Sequence, residues 1–442
     1  MHTSRIITGL LATFTLAAGA SEPYISPMSK GQFANTSGAY EGFIYAGSSS
    51  VQGTLTFNAK MAVKKNKDAS ATTNWTFSAK VIRQASTVSL SGKWTNALSH
   101  VTLTNARGGE RLVLTPLSDI LHGDFTDGAG NVFGVIGSKH VFADKKDGDA
   151  QALLNDLRGL YNIGITGLGE DSGWSFGFLS LSVGNAGAVK VSGRLGDGTG
   201  VSGSGRLLAS LNHNGWLCVA LHRPLYSKRG YLSGLLWLDP ETGIIRVDRD
   251  NDWFLEHESP ADGLLKRQIL GGWFGAGKAI EFVPNMKKFT AHPVGDGYWF
   301  PPLPNVFDPD WKCPMWTEHV PITTVDTTDK NGKVTGVKFN LPKPTSPVLD
   351  RAINRYTYPG DNVYGAKLTY NAKTGLFKGS LKVYCDGWDV NGKAVFRAFN
   401  VPYTGVMLRA RSPAYEYWSP GWGIGTTTIN KEKVPVSVLL FE

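Results

Sequence analysis

Aromatic residues in two irregular segments are the first candidates for a binding site. The segments, 295–321 and 415–422, are rich in proline and glycine, and their rings follow neither a helical nor a strand period. Flat rings on the loops of a β scaffold can stack on sugars or form a protein-binding patch. The sequence therefore predicts a ligand site here, with a self-packed core under a long loop as the alternative. Its residues are Tyr298, Trp299, Trp311, Trp316, Tyr417, Trp418 and Trp422.

Acidic residues offer only a partial metal-binding pattern. Asp248, Asp250 and Asp252 have the spacing of the first three ligands of a calcium loop. Trp253, however, stands where such a loop needs glycine, and Ser259 stands where it needs a bidentate glutamate. The histidines are scattered without the paired spacing of metal ligands. We predict no metal site and no cofactor.

No catalytic residue is predicted either. The stretch Ser202–Gly205 lacks the G-x-S-x-G spacing of a nucleophile elbow. His122, between Asp119 and Asp124, is the only local acid–base cluster, and a solvated turn accounts for it. These patterns favour a protein that is not an enzyme. Because the two carboxylates of a glycosidase can be far apart in sequence, a carbohydrate-active protein stays an alternative.

Three widely spaced cysteines allow at most one disulfide. We predict a bond between Cys313 and Cys385, which fall in the same module, and a buried free thiol at Cys218. Closing the 313–385 loop would stabilise the fold by up to about 4 kcal/mol, provided that the Cα atoms approach within about 7 Å. Three reduced cysteines are the alternative.

Short antiparallel strands are the elements that must position these residues. Four apolar runs with alternating polar residues, 160–166, 174–183, 188–195 and 200–208, are separated by glycine with Asn, Asp or Ser, which accept the positive φ of tight turns. One short helix precedes them, with Asp149 as its N-cap and Gly159 as its stop. The predicted fold class is all-β, with tandem antiparallel β-meander or barrel-like modules and one short linking helix.

The N-terminus has the pattern of a secretory signal peptide. Arg5 precedes the apolar run 6–17, and Ala18-Gly19-Ala20 is a small-residue cleavage pattern. No later stretch has the roughly 18 uninterrupted apolar residues of a transmembrane helix. We predict cleavage before Ser21 and export, so that the protein is secreted, periplasmic or on the cell surface.

The net charge of +9 is spread along the chain, and Lys60–Lys67 is its only local cluster. A weak affinity for anionic surfaces fits this distribution, whereas no motif supports binding to nucleic acid.

Changes of composition divide the chain into a leader and three modules. The leader is flexible, and the third module carries the aromatic and proline-rich insertion 295–321. The predicted divisions are the signal peptide 1–20, the leader 21–37, module one 38–148, the short helix with module two 149–250, and module three 251–442.

A short hairpin motif recurs once in each module. The sequences Leu55–Lys60, LTFNAK, and Leu368–Lys373, LTYNAK, differ at one position, and Leu236–Gly243 fits the same frame. We predict duplicated β units in which this hairpin occupies equivalent places. Convergence on a favourable hairpin is the alternative.

The Gly-x-Tyr strand openings at 38 and 159 and the Val-Ser-Gly-Arg-Leu-Gly-Asp-Gly hairpin at 191–198 resemble the Gly-rich β-strand repeats of secreted bacterial envelope proteins. The resemblance implies a tandem, barrel-like architecture and no particular activity. We therefore predict a non-enzymatic secreted or cell-envelope protein with a structural or binding role, whose partner is a polysaccharide or a surface protein. An outer-membrane β-barrel and an extracellular carbohydrate-binding or carbohydrate-active protein are the alternatives.

Overall fold

The computed structural model describes residues 37–47, 50–67, 70–95, 100–117, 119–168, 175–213, 216–247, 254–277, 284–294, 300–312, 319–409 and 420–442. Strands dominate, and the one α-helix among these residues is α1, Gly148–Leu157. Its N-cap is Asp147, whose carboxylate accepts a hydrogen bond from the Ala150 N–H at 3.0 Å, so the predicted cap, Asp149, lies inside the first turn. No described helix is long and apolar enough to cross a bilayer. The all-β class with one short helix is confirmed.

Eight successive strands form the first sheet. They are β1 (Gly38–Ala46), β2 (Ser50–Lys65), β3 (Ala71–Arg83), β4 (Thr87–Thr95), β5 (Val101–Thr104), β6 (Arg111–Leu117), β7 (Ile120–Thr126) and β8 (Val132–Lys139). Each pairs antiparallel with the next, except β4 with β5, and β8 returns to pair with β1. The sheet is a nearly closed up-and-down barrel, which we call barrel 1.

Strict alternation along the strands fills barrel 1. On β2, Leu55, Phe57 and Ala59 point inward and are buried, whereas Thr56 and Asn58 between them are exposed. The interior also holds large rings from other strands, so it is a packed core rather than a pore. These rings are Tyr40, Trp75, Phe77 and Phe125.

Ten strands form the second sheet. They are β9 (Gly159–Thr166), β10 (Gly177–Val183), β11 (Ala188–Leu195), β12 (Gly200–Arg206), β13 (Leu208–His213), β14 (Trp216–Leu225), β15 (Gly230–Leu238), β16 (Ile245–Arg246), β17 (Leu255–Ser259) and β18 (Gly263–Gly275). Their order is β12-β11-β10-β9-β18-β17-β15-β14-β13, with β16 beside β15. The first and last strands again meet and the interruption again follows the fourth strand, so this sheet, barrel 2, repeats the strand order of barrel 1.

The openings of the two barrels correspond in detail. Gly38 and Gly159 begin β1 and β9 with φ values of 148° and 152°. Two residues later, Tyr40 and Tyr161 are both buried in the cores. The matching Gly-x-Tyr patterns of the sequence therefore mark the first strand of each barrel.

Barrel 2 extends past residue 250, where the sequence analysis ended the second module. Both β17 and β18 lie beyond that position, and β18 pairs with β9 through partners such as Ile269 and Ile165. The periodicity of each strand does not reveal that β18 pairs with β9, because the two strands are far apart along the chain.

Twelve strands follow. They are β19 (Lys288–Pro293), β20 (Phe307–Lys312), β21 (Val320–Pro321), β22 (Thr323–Thr328), β23 (Val334–Asn340), β24 (Val348–Asp350), β25 (Arg355–Thr357), β26 (Lys367–Asn371), β27 (Leu376–Trp388), β28 (Ala394–Met407), β29 (Gly421–Ile429) and β30 (Glu432–Phe441). Eight form the third sheet in the order β20-β27-β28-β29-β30-β19-β21, with β26 beside β27. The pairs β22–β23 and β24–β25 are separate hairpins.

Apolar clusters join the three sheets. Barrel 1 packs on barrel 2 through Phe43 and Val51 against Cys218 and Leu235, among others. Barrel 2 packs on the third sheet through residues of both, namely Phe178, Leu270, Val406, Leu408, Trp422 and Leu439.

The predicted equivalence of the recurring hairpin is wrong for its first copy. The other two copies end in the same turn, in which the Gly243 N–H donates to the Asp239 carbonyl oxygen and the Gly375 N–H to that of Asn371, each at 2.8 Å. Leu55–Lys60 runs through the interior of the 16-residue strand β2, whereas Lys367–Asn371, the strand β26, ends in a turn at Gly375. The first copy stays extended because it pairs with β1 on one side and β3 on the other. Its conformation therefore depends on the neighbouring strands rather than on the residues that it shares with the other copies.

Candidate functional site

Two of the seven predicted aromatic residues lie in described parts of the chain. Trp311, on β20, stacks on Phe300 with ring centroids 4.9 Å apart and packs against the core of the third sheet. Trp422, on β29, is only 3% exposed and lies under barrel 2. Both indole rings are thus occupied by packing.

The other predicted ligand residues lie outside the described residues, so the aromatic ligand site stays a prediction. They are Tyr298, Trp299, Trp316, Tyr417 and Trp418.

The cysteines are divided in the same way. Cys218 is a fully buried free thiol at the joint of the two barrels, and Cys385 is buried on β27. Cys313 lies outside the described residues, so the Cys313–Cys385 disulfide stays a prediction.

The weaker chemical patterns gain no support from their surroundings. His122 lies on β7, where burial lowers its pKa and the nearby Asp124 carboxylate only partly opposes that effect. Ser204, in the predicted serine–glycine stretch, accepts a hydrogen bond from Arg223 with its backbone oxygen. Asp248, Asp250 and Asp252 lie outside the described residues. Among the residues that are described, no group of three His, Cys, Asp or Glu side chains is placed to hold a metal ion.

A distinct polar surface covers the outside of β2, β3 and β4 in barrel 1. The alternation that sends Phe57, Phe77 and Leu90 into the core turns the intervening side chains to solvent. Strand register then aligns nine exposed side chains in three rows, which we call the lysine–hydroxyl face. The rows are Thr56, Lys80 and Ser89, then Asn58, Ser78 and Ser91, then Lys60, Thr76 and Lys93.

Part of the lysine–hydroxyl face holds a shallow, open groove. The groove, of about 320 Å³, lies over the first two rows of the face, with Asn58, Ser78 and Ser91 along its floor. Strand spacing puts the Cα atoms of Lys60 and Lys93 about 10 Å apart. The row that contains Lys80 lies about 13 Å from their row, measured along the strands. The lysines therefore surround a hydroxyl-rich centre rather than forming one cluster.

The charge of the face has one sign. None of the nine side chains of the face is acidic. The neighbouring carboxylate in register is that of Glu41, the β1 partner of Thr56, and it lies 3.9 Å from the Arg206 guanidinium. Each ammonium offers three donors and no acceptor, whereas the hydroxyls and the Asn58 amide both donate and accept. The face can thus hold an anionic, hydroxyl-bearing ligand. It has no histidine, carboxylate or thiol to act as a general base.

The sequence showed only part of this surface. Lys60 belongs to the noted cluster Lys60–Lys67, but Lys80 and Lys93 lie on other strands and join it only through register. The available signal was the alternation Thr-x-Asn-x-Lys on β2, Thr-x-Ser-x-Lys on β3 and Ser-x-Ser-x-Lys on β4, which marks polar residues on one side of neighbouring strands.

No protein-family model matches the chain, and no curated protein matches it. Among solved structures, intact Ap-TbpB with its N and C lobes matches with 11% identity and a TM-score of 0.18, over 91% of this chain and 76% of that chain. A match at this score carries no argument about what this chain does.

Proposed function

We propose that the protein is an exported, non-enzymatic binding protein that holds an anionic polysaccharide on its lysine–hydroxyl face. The single observation behind this proposal is the arrangement of Lys60, Lys80 and Lys93 around a groove of hydroxyl and amide groups, in a face whose nine described side chains include no acid. A polymer of acidic sugars presents the matching groups, which are carboxylates or sulfates among many hydroxyls.

Other ligand classes fit this face less well. The centres of protein interfaces are enriched in aromatic residues and methionine, whereas the nine side chains of the face include neither. Binding of single-stranded nucleic acid relies on rings that stack on the bases, and the face presents no ring. Hydroxyls and amides that line a shallow groove suit the hydroxyls of a sugar chain.

Export is supported by the N-terminal sequence. The apolar run 6–17 and the Ala18-Gly19-Ala20 pattern favour cleavage before Ser21, which N-terminal sequencing of the exported protein tests. A membrane barrel is less favoured, because membrane barrels face lipid with an apolar band and barrel 1 carries lysine and hydroxyl groups outward.

The decisive experiment compares two soluble polymers. Affinity electrophoresis through polygalacturonate, which is a polyuronate, should retard the protein, whereas neutral dextran should not. Added salt should weaken the binding, because it screens exposed charges.

A double variant locates the site. Lys80→Gln/Lys93→Gln should weaken polygalacturonate binding by up to about thirtyfold, because each exposed ion pair contributes at most about 1 kcal/mol. The matched control, Lys338→Gln/Lys378→Gln, removes two exposed lysines from β23 and β27 and should bind like the unchanged protein. Equal retardation by dextran, or equal losses in the two double variants, would contradict the proposal.

A further inference from the structure

The strands β2 and β3 continue beyond barrel 1 as a two-stranded extension. Pairing of β1 with β2 ends at Gly38 and Ala59, and pairing of β3 with β4 ends at Asn74 and Thr95. The β2–β3 ladder nevertheless runs on to Lys65 and Ala71. The described residues 60–67 and 70–73 therefore form a hairpin that projects past the rim, which we call the finger.

One side of the finger continues the apolar side of β2 into solvent. Inside the barrel, Phe57 and Ala59 on this side are buried, but the next two members of the series, Met61 and Val63, are 41% and 56% exposed. The alternation would place Met61 and Val63 in the core, but no described part of the chain covers them.

The end of the finger is cationic. Lys64, Lys65 and Lys67 are all exposed, and they form no ion pair with another described residue. The described residues of the finger include no aspartate or glutamate. Two apolar side chains therefore lie on a narrow projection whose described end carries three lysines with no ion-pair partner among the described residues.

We propose that the finger docks on an anionic lipid surface. The lysine ammonium groups contact the headgroup phosphates, and Met61 and Val63 enter the boundary between headgroups and acyl chains. The finger lies along the surface on the side of Met61 and Val63, and the long stems of the lysines let their charges stay at the headgroups while the two apolar side chains go deeper. The positive charge of the finger favours an anionic lipid surface. The two exposed apolar side chains favour a lipid surface over a ligand that binds through charge alone.

A second protein fits the finger less well. A specific protein interface buries about 800 Å² on each partner, far more than two isolated side chains supply. A lipid surface makes no such demand, because a short apolar insertion and a few basic residues act together in membrane binding. The lipid site also differs from the lysine–hydroxyl face, whose nine side chains include no exposed apolar group.

Vesicle sedimentation with the full chain tests the proposal. The protein should sediment with vesicles that contain phosphatidylglycerol and stay in solution with vesicles of phosphatidylcholine alone. The triple variant Lys64→Gln/Lys65→Gln/Lys67→Gln should lose about a hundredfold in affinity, at about fivefold for each lysine.

The double variant Met61→Ser/Val63→Ser tests the apolar step. It should bind phosphatidylglycerol vesicles at least about tenfold more weakly, since two buried side chains are lost, while its binding to polygalacturonate stays unchanged. Val390→Ser is the matched control, because Val390 is 66% exposed in the turn between β27 and β28, and it should bind vesicles normally. All of these positions are exposed, so thermal unfolding should confirm that each variant is folded.

Three results would overturn the proposal. They are equal sedimentation with both kinds of vesicle, unchanged vesicle binding by Met61→Ser/Val63→Ser, and a vesicle-free dimer that this variant abolishes. The variant Lys80→Gln/Lys93→Gln separates the two proposals, because it should bind vesicles normally while losing polygalacturonate.

Discussion

Asn162, on β9 of barrel 2, donates a hydrogen bond of 3.0 Å from its side-chain amide to the backbone carbonyl oxygen of Met407, on β28 of the third sheet. The same amide nitrogen donates to the carbonyl oxygen of Thr374 at 3.1 Å, and the amide oxygen accepts from the Ser180 hydroxyl at 3.0 Å. Asn162 is completely buried. One side chain thus satisfies two backbone carbonyls across the joint between two sheets.

The first prediction follows from this contact. Asn162→Ala should lower the free energy of unfolding by about 1 to 3 kcal/mol, because the carbonyls of Thr374 and Met407 lose a buried donor. Denaturant unfolding followed by tryptophan fluorescence measures the change. Asn400→Ala, at an exposed position of β28, is the control, and an equally small effect of both substitutions would contradict the role of Asn162.

The closure of barrel 1 gives a second prediction. A Cβ at Gly42 on β1 would lie 2.0 Å from the carbonyl oxygen of Ile136 on β8. Gly42→Ala should therefore cost about 1 to 3 kcal/mol through overpacking where the first and last strands meet. At Gly200, on β12, a Cβ meets nothing within 4 Å, so Gly200→Ala should change stability by less than about 0.5 kcal/mol. If thermal unfolding gives the same melting temperature for both variants, the close approach does not constrain the barrel.

The fold class was predictable because strand alternation and turn residues are local signals. Leu55, Phe57 and Ala59 alternate with polar residues, and Gly159 opens a strand after the helix, as the sequence indicates. The closure of barrel 2 by β18 and β9 was not predictable in this way, because it depends on which distant strands meet. The LTFNAK motif shows the same limit, because nearly the same residues form the interior of a strand in β2 and the end of a hairpin strand in β26.

The candidate site was predictable only in part for the same reason. Lys60 and its neighbours along β2 are visible as a basic cluster, but Lys93 reaches them through the two ladders that β3 forms. The aromatic residues drew attention because they had no period, yet Trp311 and Trp422 are both used in packing. A ring in an irregular segment does not reveal from sequence whether another part of the chain covers it.

The pH dependence of stability gives a third prediction. Asp386, on β27, is 1% exposed, and neither of its carboxylate oxygens has a hydrogen-bond partner of good geometry among the described residues. Burial raises its pKa, and the nearby Asp310 adds to the increase. Lys312, Arg355 and the Tyr356 backbone N–H only partly oppose it. A carboxyl with a raised pKa holds its proton more tightly in the folded state, so its stabilising contribution is largest in acid and is lost as the pH rises through the folded-state pKa.

Asp386→Asn stays neutral at every pH and should remove this loss. Relative to the unchanged protein, the variant should gain stability between acid and neutral pH, by about 1 kcal/mol or more at neutral pH. Urea unfolding at a series of pH values measures the difference. Asp326→Asn, at an exposed position of β22, should follow the unchanged protein throughout, and a parallel curve for Asp386→Asn would show that the buried carboxyl does not destabilise the fold.

Thiol accessibility gives the fourth prediction, and Cys218 is its first part. The side chain is fully buried between the barrels, and burial raises its pKa, so little reactive thiolate forms. Iodoacetamide should therefore leave Cys218 unmodified in the native protein and modify it once denaturant opens the joint between the barrels. Rapid native labelling would contradict the packing of that joint.

Cys385 provides the second part, because its labelling tests the predicted disulfide. Burial, with a further contribution from the Asp386 and Asp310 carboxylates, raises the pKa of its thiol to about 12, so the native protein should not react there in the reduced form either. Denaturant without a reductant separates the two cases. If the bond to Cys313 forms after export, Cys385 stays unlabelled until a reductant is added, and the peptide map contains the 313–385 cross-link. If denaturant alone exposes all three thiols to labelling, the disulfide is absent and burial is what protects Cys385.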